Sequence, residues 1–317
     1  MVGQCGTIPI EAGPPSCCPN TPGEAGILNG LKMLMDMARR AEKIGISAEK
    51  CHFFDHKGYL KVDGVLTGGA LSRVQSEFRR VKEATRDDWQ KTVAARPDFR
   101  PYRLCETSHV VFPVTPHGDV FIDLMAHPQT LAIAEAFMGP DMVMGDNALH
   151  VKPAGTLSHV GWHRDSPSWN FQERDAWHDR DKLAWEKMKL CEIPFLKIKI
   201  FFFIHDVDET TSPFSMISGS HKWPTKKIPA HKEIADMPDH VKLVGKAGDA
   251  LLWNGCILHA AMHNTDTKAR RMLFYNYIHF GMKQHDPCIP KGAFAESLKN
   301  RSPICRQLFG FERMKRT

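Results

Sequence analysis

Apolar side chains recur along this chain with two different periods. Spacings of three and four residues predict helices over 27–45, 70–93 and 128–138. Shorter runs rich in β-branched and aromatic residues predict strands over 195–207, 250–258 and 270–280. The pattern therefore places helices in the first half of the chain and the clearest strands in the second half.

Strand parity sorts the side chains of two of these runs into faces. In the first run, Ile198, Ile200 and Phe202 share a wholly apolar face, and Lys197 and Lys199 mark the other. We expect the apolar face to line the interior of the β fold.

The last run carries two adjacent arginines on opposite faces. Arg270 shares a face with Met272 and Phe274, and Arg271 shares the other with Leu273 and Tyr275. The pattern alone does not choose which arginine points inward.

Composition limits the architecture. With 317 residues, of which 42% are hydrophobic, the chain can bury one large core, which favours a single domain over two equal ones. Residues 1–23 are rich in Pro, Gly and Cys and are predicted to form a disordered leader ahead of a domain over 24–317. No stretch approaches the roughly 20 apolar residues of a membrane span, and the N-terminus lacks a signal-peptide pattern. We therefore expect a cytoplasmic protein without a membrane partner.

Charge and cysteine content exclude other classes. The formal net charge is +6, and basic residues cluster only over 221–232. That cluster contains one aromatic residue, Trp223, so it does not indicate nucleic-acid binding, although it could attract an anionic substrate. The nine cysteines have no regular spacing, which argues against a disulfide framework or a zinc site.

The triplet His163-Arg164-Asp165 is the strongest chemical signal. In an extended segment, residues i and i+2 project to the same side, so His163 and Asp165 can bind one ion while Arg164 faces away. His259 ends an apolar run 96 residues later (259 − 163). Two imidazoles and one carboxylate are the set that holds Fe(II) on one face and leaves other positions open.

Two other pairs have the same spacing. His117-Gly118-Asp119 lies in a Pro-rich turn, and His231-Lys232-Glu233 lies in a Lys-rich stretch only 28 residues before His259 (259 − 231). Neither has strands around it, so both are interpreted as surface loops.

An ordered series of motifs over 53–282 resembles the phytanoyl-CoA dioxygenase family, a branch of the 2-oxoglutarate oxygenases. The motifs occur in the family's order: segment 58–66, then Trp162-His163-Arg164-Asp165, Ser212 to His221, Gly248-Asp249, His259, Asn264 and Arg270. The resemblance implies a mainly β protein with flanking helices around a double-stranded β-helix (jelly-roll, cupin-like) core. It also implies helices over 24–100, a core over 101–285 with an insertion or lid at 166–190, and an extension over 286–317.

The resemblance further implies a non-haem Fe(II), 2-oxoglutarate-dependent dioxygenase. His163, Asp165 and His259 would hold the iron, Arg270 would bind 2-oxoglutarate with Phe202 nearby, and O2 would be the oxidant. An Arg fork matches a carboxylate with two parallel hydrogen bonds. Trp162, Trp169 and Asn264 are candidates for the substrate pocket. The expected reaction oxidises a C–H bond of a small-molecule metabolite by hydroxylation, desaturation or ring closure, and releases succinate and CO2.

The sequence departs from the family's pattern after the distal histidine, and it leaves two alternative functions open. The family often has Gly-Ser after the distal histidine, where this chain has Ala260-Ala261, so one hydrogen bond to 2-oxoglutarate is missing or comes from elsewhere. A protein side-chain hydroxylase, or a divalent-metal enzyme that does not use 2-oxoglutarate, would share the motifs. A monomer and a homodimer are both compatible with the sequence.

Overall fold

The computed structural model describes residues 39, 42–43, 45–95, 108–158, 161–165, 197–223 and 229–312. Its strands are β1 (Tyr59–Val62), β2 (His109–Val111), β3 (Met142–Lys152), β4 (Lys197–Phe203), β5 (Phe214–Ile217), β6 (His240–Leu243), β7 (Ala250–Asn254), β8 (His259–Ala261) and β9 (Arg270–His279). Its helices are α1 (Ala48–Lys57), α2 (Gly68–Ala84), α3 (Arg86–Ala95), α4 (Asp119–Met125), α5 (Pro128–Met138), α6 (Gly292–Leu298) and α7 (Pro303–Leu308). Among the described residues, no helix combines the length and the apolar character needed to cross a membrane.

The strands form two antiparallel sheets. The larger has the order β1-β7-β4-β9-β3-β2, and the smaller has the order β6-β5-β8. Consecutive strands of the chain are seldom neighbours, so the connections cross between the sheets. The result is the double-stranded β-helix that the sequence predicted.

The helices cover one face of the larger sheet. Ile198, Ile200 and Phe202 of β4 belong to a buried cluster that includes Phe78 of α2 and Phe137 of α5. The tyrosines of β9 lie on the same face, and Tyr275 donates its hydroxyl hydrogen to the Phe121 carbonyl at 2.9 Å. This cluster is the main apolar core.

The opposite face of the larger sheet turns towards the smaller sheet. Phe201 and Trp253 of the larger sheet pack there against Phe214 and Met216 of the smaller one. The ring centroids of Phe201 and Trp253 lie 4.3 Å apart. Lys197 and Lys199 share this inward face with Phe201, because side chains alternate along a strand.

A glycine with a left-handed backbone conformation brings α1 into contact with the turn Ser220–Lys222, which follows β5. α1 begins at Ser47, whose side chain accepts a hydrogen bond from the Lys50 amide, and it ends at Gly58, where φ is 82°. A Cβ at Gly58 would lie 2.5 Å from Nδ1 of His221. His221 then donates from Nε2 to the Asp55 carbonyl at 2.9 Å, so this turn is fastened to α1.

Candidate metal centre

His163 and His259 face each other across a pair of backbone hydrogen bonds. The His163 amide donates to the His259 carbonyl at 3.0 Å, and the His259 amide donates to the His163 carbonyl at 2.9 Å. The segment around His163 thus continues the smaller sheet beyond β8. Asp165 is fixed two residues later, where its amide donates to the Gly255 carbonyl at 3.1 Å.

Both imidazoles are held in the tautomer that binds metals through Nε2. Nδ1 of His163 lies 2.8 Å from the Gly161 carbonyl, and Nδ1 of His259 lies 2.9 Å from the Ile257 carbonyl. A carbonyl oxygen only accepts hydrogen bonds, so each Nδ1 carries the proton and each Nε2 presents a lone pair. The backbone therefore orients both imidazoles through Nδ1 and leaves Nε2 of each ring to face Asp165.

Asp165 completes the group. Its Oδ2 lies 3.1 Å from Nε2 of His259, and its Oδ1 lies 3.7 Å from Nε2 of His163. One ligand atom from each residue lies within 4.8 Å of the other two. Across the described parts of the chain, this is the one such group of three, and neither His117 nor His231 belongs to it. The donor set fits a divalent iron bound on one face.

The protonation states suit metal binding. Desolvation and the neighbouring His259 ring lower the pKa of His163 to about 4, so its ring is neutral at pH 7. Burial alone would raise the pKa of Asp165, but Lys199 and His259 outweigh it and hold that pKa well below its usual range. The centre thus offers a neutral imidazole at His163 and a carboxylate at Asp165.

Two lysines of β4 hold Asp165 from the opposite sheet. Lys199 places its ammonium 2.6 Å from Oδ2 of Asp165, and Lys197 donates to the Asp165 carbonyl at 3.1 Å. The Lys199 ammonium also lies 5.7 Å from the Trp253 ring centroid and 5.6 Å from that of Phe274. The sequence-based assignment of β4 faces is therefore wrong, because the lysine face points towards the metal centre.

Arg270 lies buried in the same cleft. It is 3% exposed and shares the inward face of β9 with Met272, which packs between the sheets. Its Nη1 donates to the Ser212 carbonyl at 2.7 Å, and its Nη2 donates to Nδ1 of His150 at 3.3 Å. Ser212 adopts a left-handed backbone with φ of 56°. Arg271 faces outward and donates to Nε2 of His205 at 2.9 Å.

His150 and Lys152 add two donors to the surroundings of Arg270. On the paired strands β3 and β9, Lys152 lies opposite Arg270 and His150 lies opposite Met272, so all four side chains share one face. The Lys152 ammonium donates to the Met262 carbonyl at 3.0 Å. Burial and the Arg270 charge hold the pKa of His150 well below its ordinary value.

The second ring nitrogen of His150 has no hydrogen-bond partner among the described residues. Arg270 only donates, so Nδ1 of His150 accepts and Nε2 carries the proton of the neutral ring. Nε2 is buried without a partner. An unsatisfied buried donor costs about 1–3 kcal/mol, so this N–H points to an acceptor supplied by a ligand.

The two residues of the Ala260-Ala261 pair lie on opposite faces of the smaller sheet. Ala260 packs on the outer side of the smaller sheet with Leu258 and Met262. Ala261 therefore shares the face of His259, and it lies opposite Phe214 on β5. A methyl group stands there in place of a hydroxyl.

The turn Gly219-Ser220-His221, which ends the motif that begins at Ser212, has a structural role. Oγ of Ser220 accepts from the Leu258 amide at 2.8 Å. Arg164, which faces away from the ligands as predicted, donates to the carbonyls of Cys256 and Ser220 at 2.9 and 3.0 Å. These bonds hold the segment 256–258 that leads into His259.

Three of the other predicted site residues lie elsewhere. Phe202 packs against the helices, with its ring centroid 6.4 Å from that of His127. Trp162 packs outside the smaller sheet and donates to the Ile234 carbonyl at 2.9 Å. The side-chain amide of Asn264 donates hydrogen bonds to the carbonyls of Lys152, Pro153 and Lys268. The placement of these residues in cosubstrate or substrate pockets is wrong. Trp169 and the predicted lid at 166–190 lie outside the described residues.

Sequence reasoning missed His150, Lys152 and the role of Lys199. A weak signal existed for the first two, since both lie at alternate positions of a strand that is otherwise almost wholly buried. Polar residues on such a strand indicate a ligand or a paired charge. No comparable signal linked Lys199 to a residue 34 positions away (199 − 165).

Comparison with known proteins agrees with this geometry. The family model for phytanoyl-CoA dioxygenase (PhyH) matches residues 54–272. The chain belongs to the PhyH family. Together with the ligand triad, this membership makes the protein an Fe(II)- and 2-oxoglutarate-dependent dioxygenase that oxidises a small molecule, as the sequence predicted.

Individual members of the family are distant in sequence. An ectoine dioxygenase of Stutzerimonas stutzeri strain A1501 is 22% identical over 288 residues, which span 83% of this chain and 88% of that protein. A second ectoine dioxygenase, from Streptomyces coelicolor, is 25% identical over 130 residues, or 40% of this chain and 41% of that protein.

Solved structures share the fold. HygX from Streptomyces hygroscopicus with nickel and 2-oxoglutarate bound has a TM-score of 0.55 at 15% identity, covering 75% of this chain and 89% of that one. The carbocyclase SnoK from nogalamycin biosynthesis has a TM-score of 0.50 at 17% identity, covering 74% and 84%. At these identities the likeness establishes the double-stranded β-helix and nothing finer.

Proposed function

We propose that this PhyH-family enzyme oxidises a C–H bond of a small polar metabolite, with Fe(II) held by His163, Asp165 and His259 and with 2-oxoglutarate anchored by Arg270. The observation that carries the assignment of residues is the convergence of three ligand atoms within 4.8 Å, with Arg270 on the inward face of the facing sheet. When bound, the iron and the keto acid supply the oxidising chemistry, with O2 as oxidant and succinate and CO2 as products.

Arg270 and His150 recognise the distal carboxylate of 2-oxoglutarate in this proposal. The guanidinium offers a planar fork whose orientation is set by the Ser212 carbonyl, 2.7 Å from Nη1. The buried Nε2–H of His150 adds a donor beside it. This donor supplies the hydrogen bond that Ala261 does not provide.

The walls of the cleft exclude water around these polar groups. The rings of Phe201, Trp253 and Phe214 pack against one another at centroid distances of 4.3 to 4.9 Å. The Phe214 ring also lies 4.9 Å from that of His259. In such surroundings a charge-assisted hydrogen bond is stronger than in water, which favours tight binding of the keto acid.

A polar metabolite is favoured over a long acyl chain. The inward face near the metal carries the Lys199 ammonium and the paired side chains of Asn276 and Asp146, which are 2.7 Å apart. The relatives point the same way, since one is named for ectoine and HygX has been solved with hygromycin B bound.

We further propose that the protein is cytoplasmic, is a monomer or a homodimer, and has no nucleic-acid or membrane partner. Light scattering of the purified protein tests the oligomeric state.

The test is an anaerobic titration of the metal-free protein with Fe(II) and then 2-oxoglutarate. A visible metal-to-ligand charge-transfer band is expected only when both are present. A screen of polar metabolites in air should then find compounds that stimulate succinate release. A divalent-metal enzyme of another kind would bind the ion without forming the band, and that result would overturn the proposal.

A further inference from the structure

Lys199 is placed to control how Asp165 binds the metal. Its ammonium lies 2.6 Å from Oδ2, and the side chain is only 13% exposed. Because the segment that carries Asp165 pairs with β8 of the smaller sheet through His163, this contact joins that segment to β4 of the larger sheet. The inference that follows rests on the proposed function.

The ammonium is held in place by more than the carboxylate. On the neighbouring strands, Lys199 lies opposite Trp253 of β7 and Asn276 of β9. The rings of Trp253 and Phe274 lie 5.7 and 5.6 Å from Nζ, a distance at which an aromatic face attracts a cation. The lysine therefore has a fixed position when a metal arrives.

A carboxylate can bind a metal through one oxygen or through both. Binding through both would occupy one more position around the ion. The reaction needs three positions beyond the protein ligands, two for the keto acid and one for O2, so Asp165 has to use a single oxygen. We propose that Lys199 is a positioning residue that retains Oδ2 of Asp165 and thereby keeps a metal position open for the keto acid.

Lys197 is a matched control for this role. It lies on the same face of the same strand and contacts the same residue, but it donates to the Asp165 main-chain carbonyl at 3.1 Å. Its stem packs on Gly255, where a Cβ would lie 2.9 Å from Cγ and Cδ of the lysine. Lys197→Met should therefore leave the contact between Lys199 and Oδ2 of Asp165 in place.

The experiment measures metal and keto-acid binding separately by calorimetry. Co(II) is titrated into metal-free wild type, Lys199→Met, Lys199→Arg and Lys197→Met, and 2-oxoglutarate is then titrated into each Co(II)-loaded protein. In Lys199→Met we expect Co(II) to bind as tightly as in wild type or more tightly, because a nearby positive charge is lost. The dissociation constant for 2-oxoglutarate should rise about 10-fold, or about 1.4 kcal/mol of binding free energy, because the second carboxylate oxygen would compete for a position that the keto acid needs.

The Co(II) ligand-field spectrum provides an independent readout. Its shape should change in Lys199→Met as the carboxylate takes a second position, while Lys199→Arg should restore most of the wild-type spectrum and keto-acid affinity. Lys197→Met, which loses only a bond to the Asp165 main-chain carbonyl, should change both less than Lys199→Met does. If metal-free Lys199→Met is not folded by circular dichroism, Lys199→Gln replaces it under the same criteria.

Three results would overturn the positioning role. One is that Lys199→Met weakens Co(II) and 2-oxoglutarate together, as a general loss of structure would. Another is that neither affinity changes, and the third is that Lys197→Met reproduces the effect. If wild type binds Co(II) but takes up no keto acid, the proposed function fails instead, so the two failures are distinguishable.

Discussion

The two faces of the larger sheet put the same strands to opposite uses. On the outer face of β4, Ile198, Ile200 and Phe202 are fully buried against helices. Each such side chain contributes about 1.5–3 kcal/mol through burial. On the inner face, Arg270 and His150 are buried and Lys199 is largely enclosed, and a charge in such a place is favourable only when it is paired. Stability is concentrated on one side of the sheet and chemistry on the other.

The largest effect is expected when a candidate metal ligand on the inner side of the larger sheet is removed. His259→Ala should abolish the Fe(II)–2-oxoglutarate band and succinate release, because two ligands hold an open-sided ion poorly. The measurement is the anaerobic absorption spectrum. His231→Ala serves as the control, since His231 belongs to a rival motif outside the cluster. Loss of the band in the control as well would contradict the assignment.

The next effect tests the outer side. Phe202→Ala should lower the free energy of unfolding by about 3–5 kcal/mol, the usual result of emptying a buried phenylalanine site. Urea unfolding measures this change. The folded variant should bind 2-oxoglutarate as wild type does. A keto-acid affinity reduced as far as in Arg270→Ala would show that the two faces are not separate in function.

Neighbouring arginines on opposite faces give the sharpest contrast. Arg270→Ala should weaken 2-oxoglutarate binding by about 2–5 kcal/mol, because it leaves a buried carboxylate without its partner. Arg271→Ala, which removes a donor to His205 on the outward side, should change that affinity little. Calorimetry on metal-loaded protein compares them. Equal effects, or a larger one at Arg271, would reverse the assignment.

A smaller effect is expected at His150. His150→Phe keeps the ring volume and removes the Nε2–H, so 2-oxoglutarate binding should weaken by about 1.5–3 kcal/mol, the range for hydrogen bonds to charged groups. Pyruvate has no distal carboxylate, and its binding to the metal-loaded variant should match that to wild type. Parallel losses for both keto acids would place His150 at the metal end of the ligand instead.

The smallest effect concerns Trp162. Trp162→Phe removes the hydrogen bond to the Ile234 carbonyl and should lower the free energy of unfolding by about 0.5–1.5 kcal/mol. Substrate-stimulated succinate release should be unchanged once a substrate is found. A large change in the Michaelis constant would return Trp162 to the substrate pocket.

The metal ligands were predictable because local geometry carries them. His163 and Asp165 need only an extended segment to converge. His259 is the first residue of β8 and came from the order of the motifs, because the apolar run before it is broken by a turn after Asn254. The choice of Arg270 over Arg271 came from the resemblance to the family, and parity then placed Met272 beside it. Helix α5 was predicted with the bounds that the structure shows. Other boundaries shifted, as where the helix expected over 70–93 is interrupted at Thr85, whose hydroxyl donates to the Val81 carbonyl.

The error on β4 has a physical cause. Parity correctly separated Phe202 from Lys199, but the rule that apolar faces point inward assumes a single core. Here the sheet has a core on each side, and the helical layer takes the fully apolar face. The lysine face could turn inward because Asp165 supplies a counter-charge and aromatic rings cover the stems. His150 was missed for a related reason, since its partner Arg270 lies 120 residues away in the chain (270 − 150).

The backbone pairing of His163 with His259 means that an ion bound by both rings would act as a cross-link. An ion that grips both rings closes a loop of 96 residues (259 − 163), in addition to the two amide hydrogen bonds that already join these segments. Peeling the His163 segment from the edge of β8 then requires breaking coordination bonds as well. Iron bound at this candidate site would therefore act as a reversible cross-link, and a chelator should open this edge before it unfolds the sheets behind it.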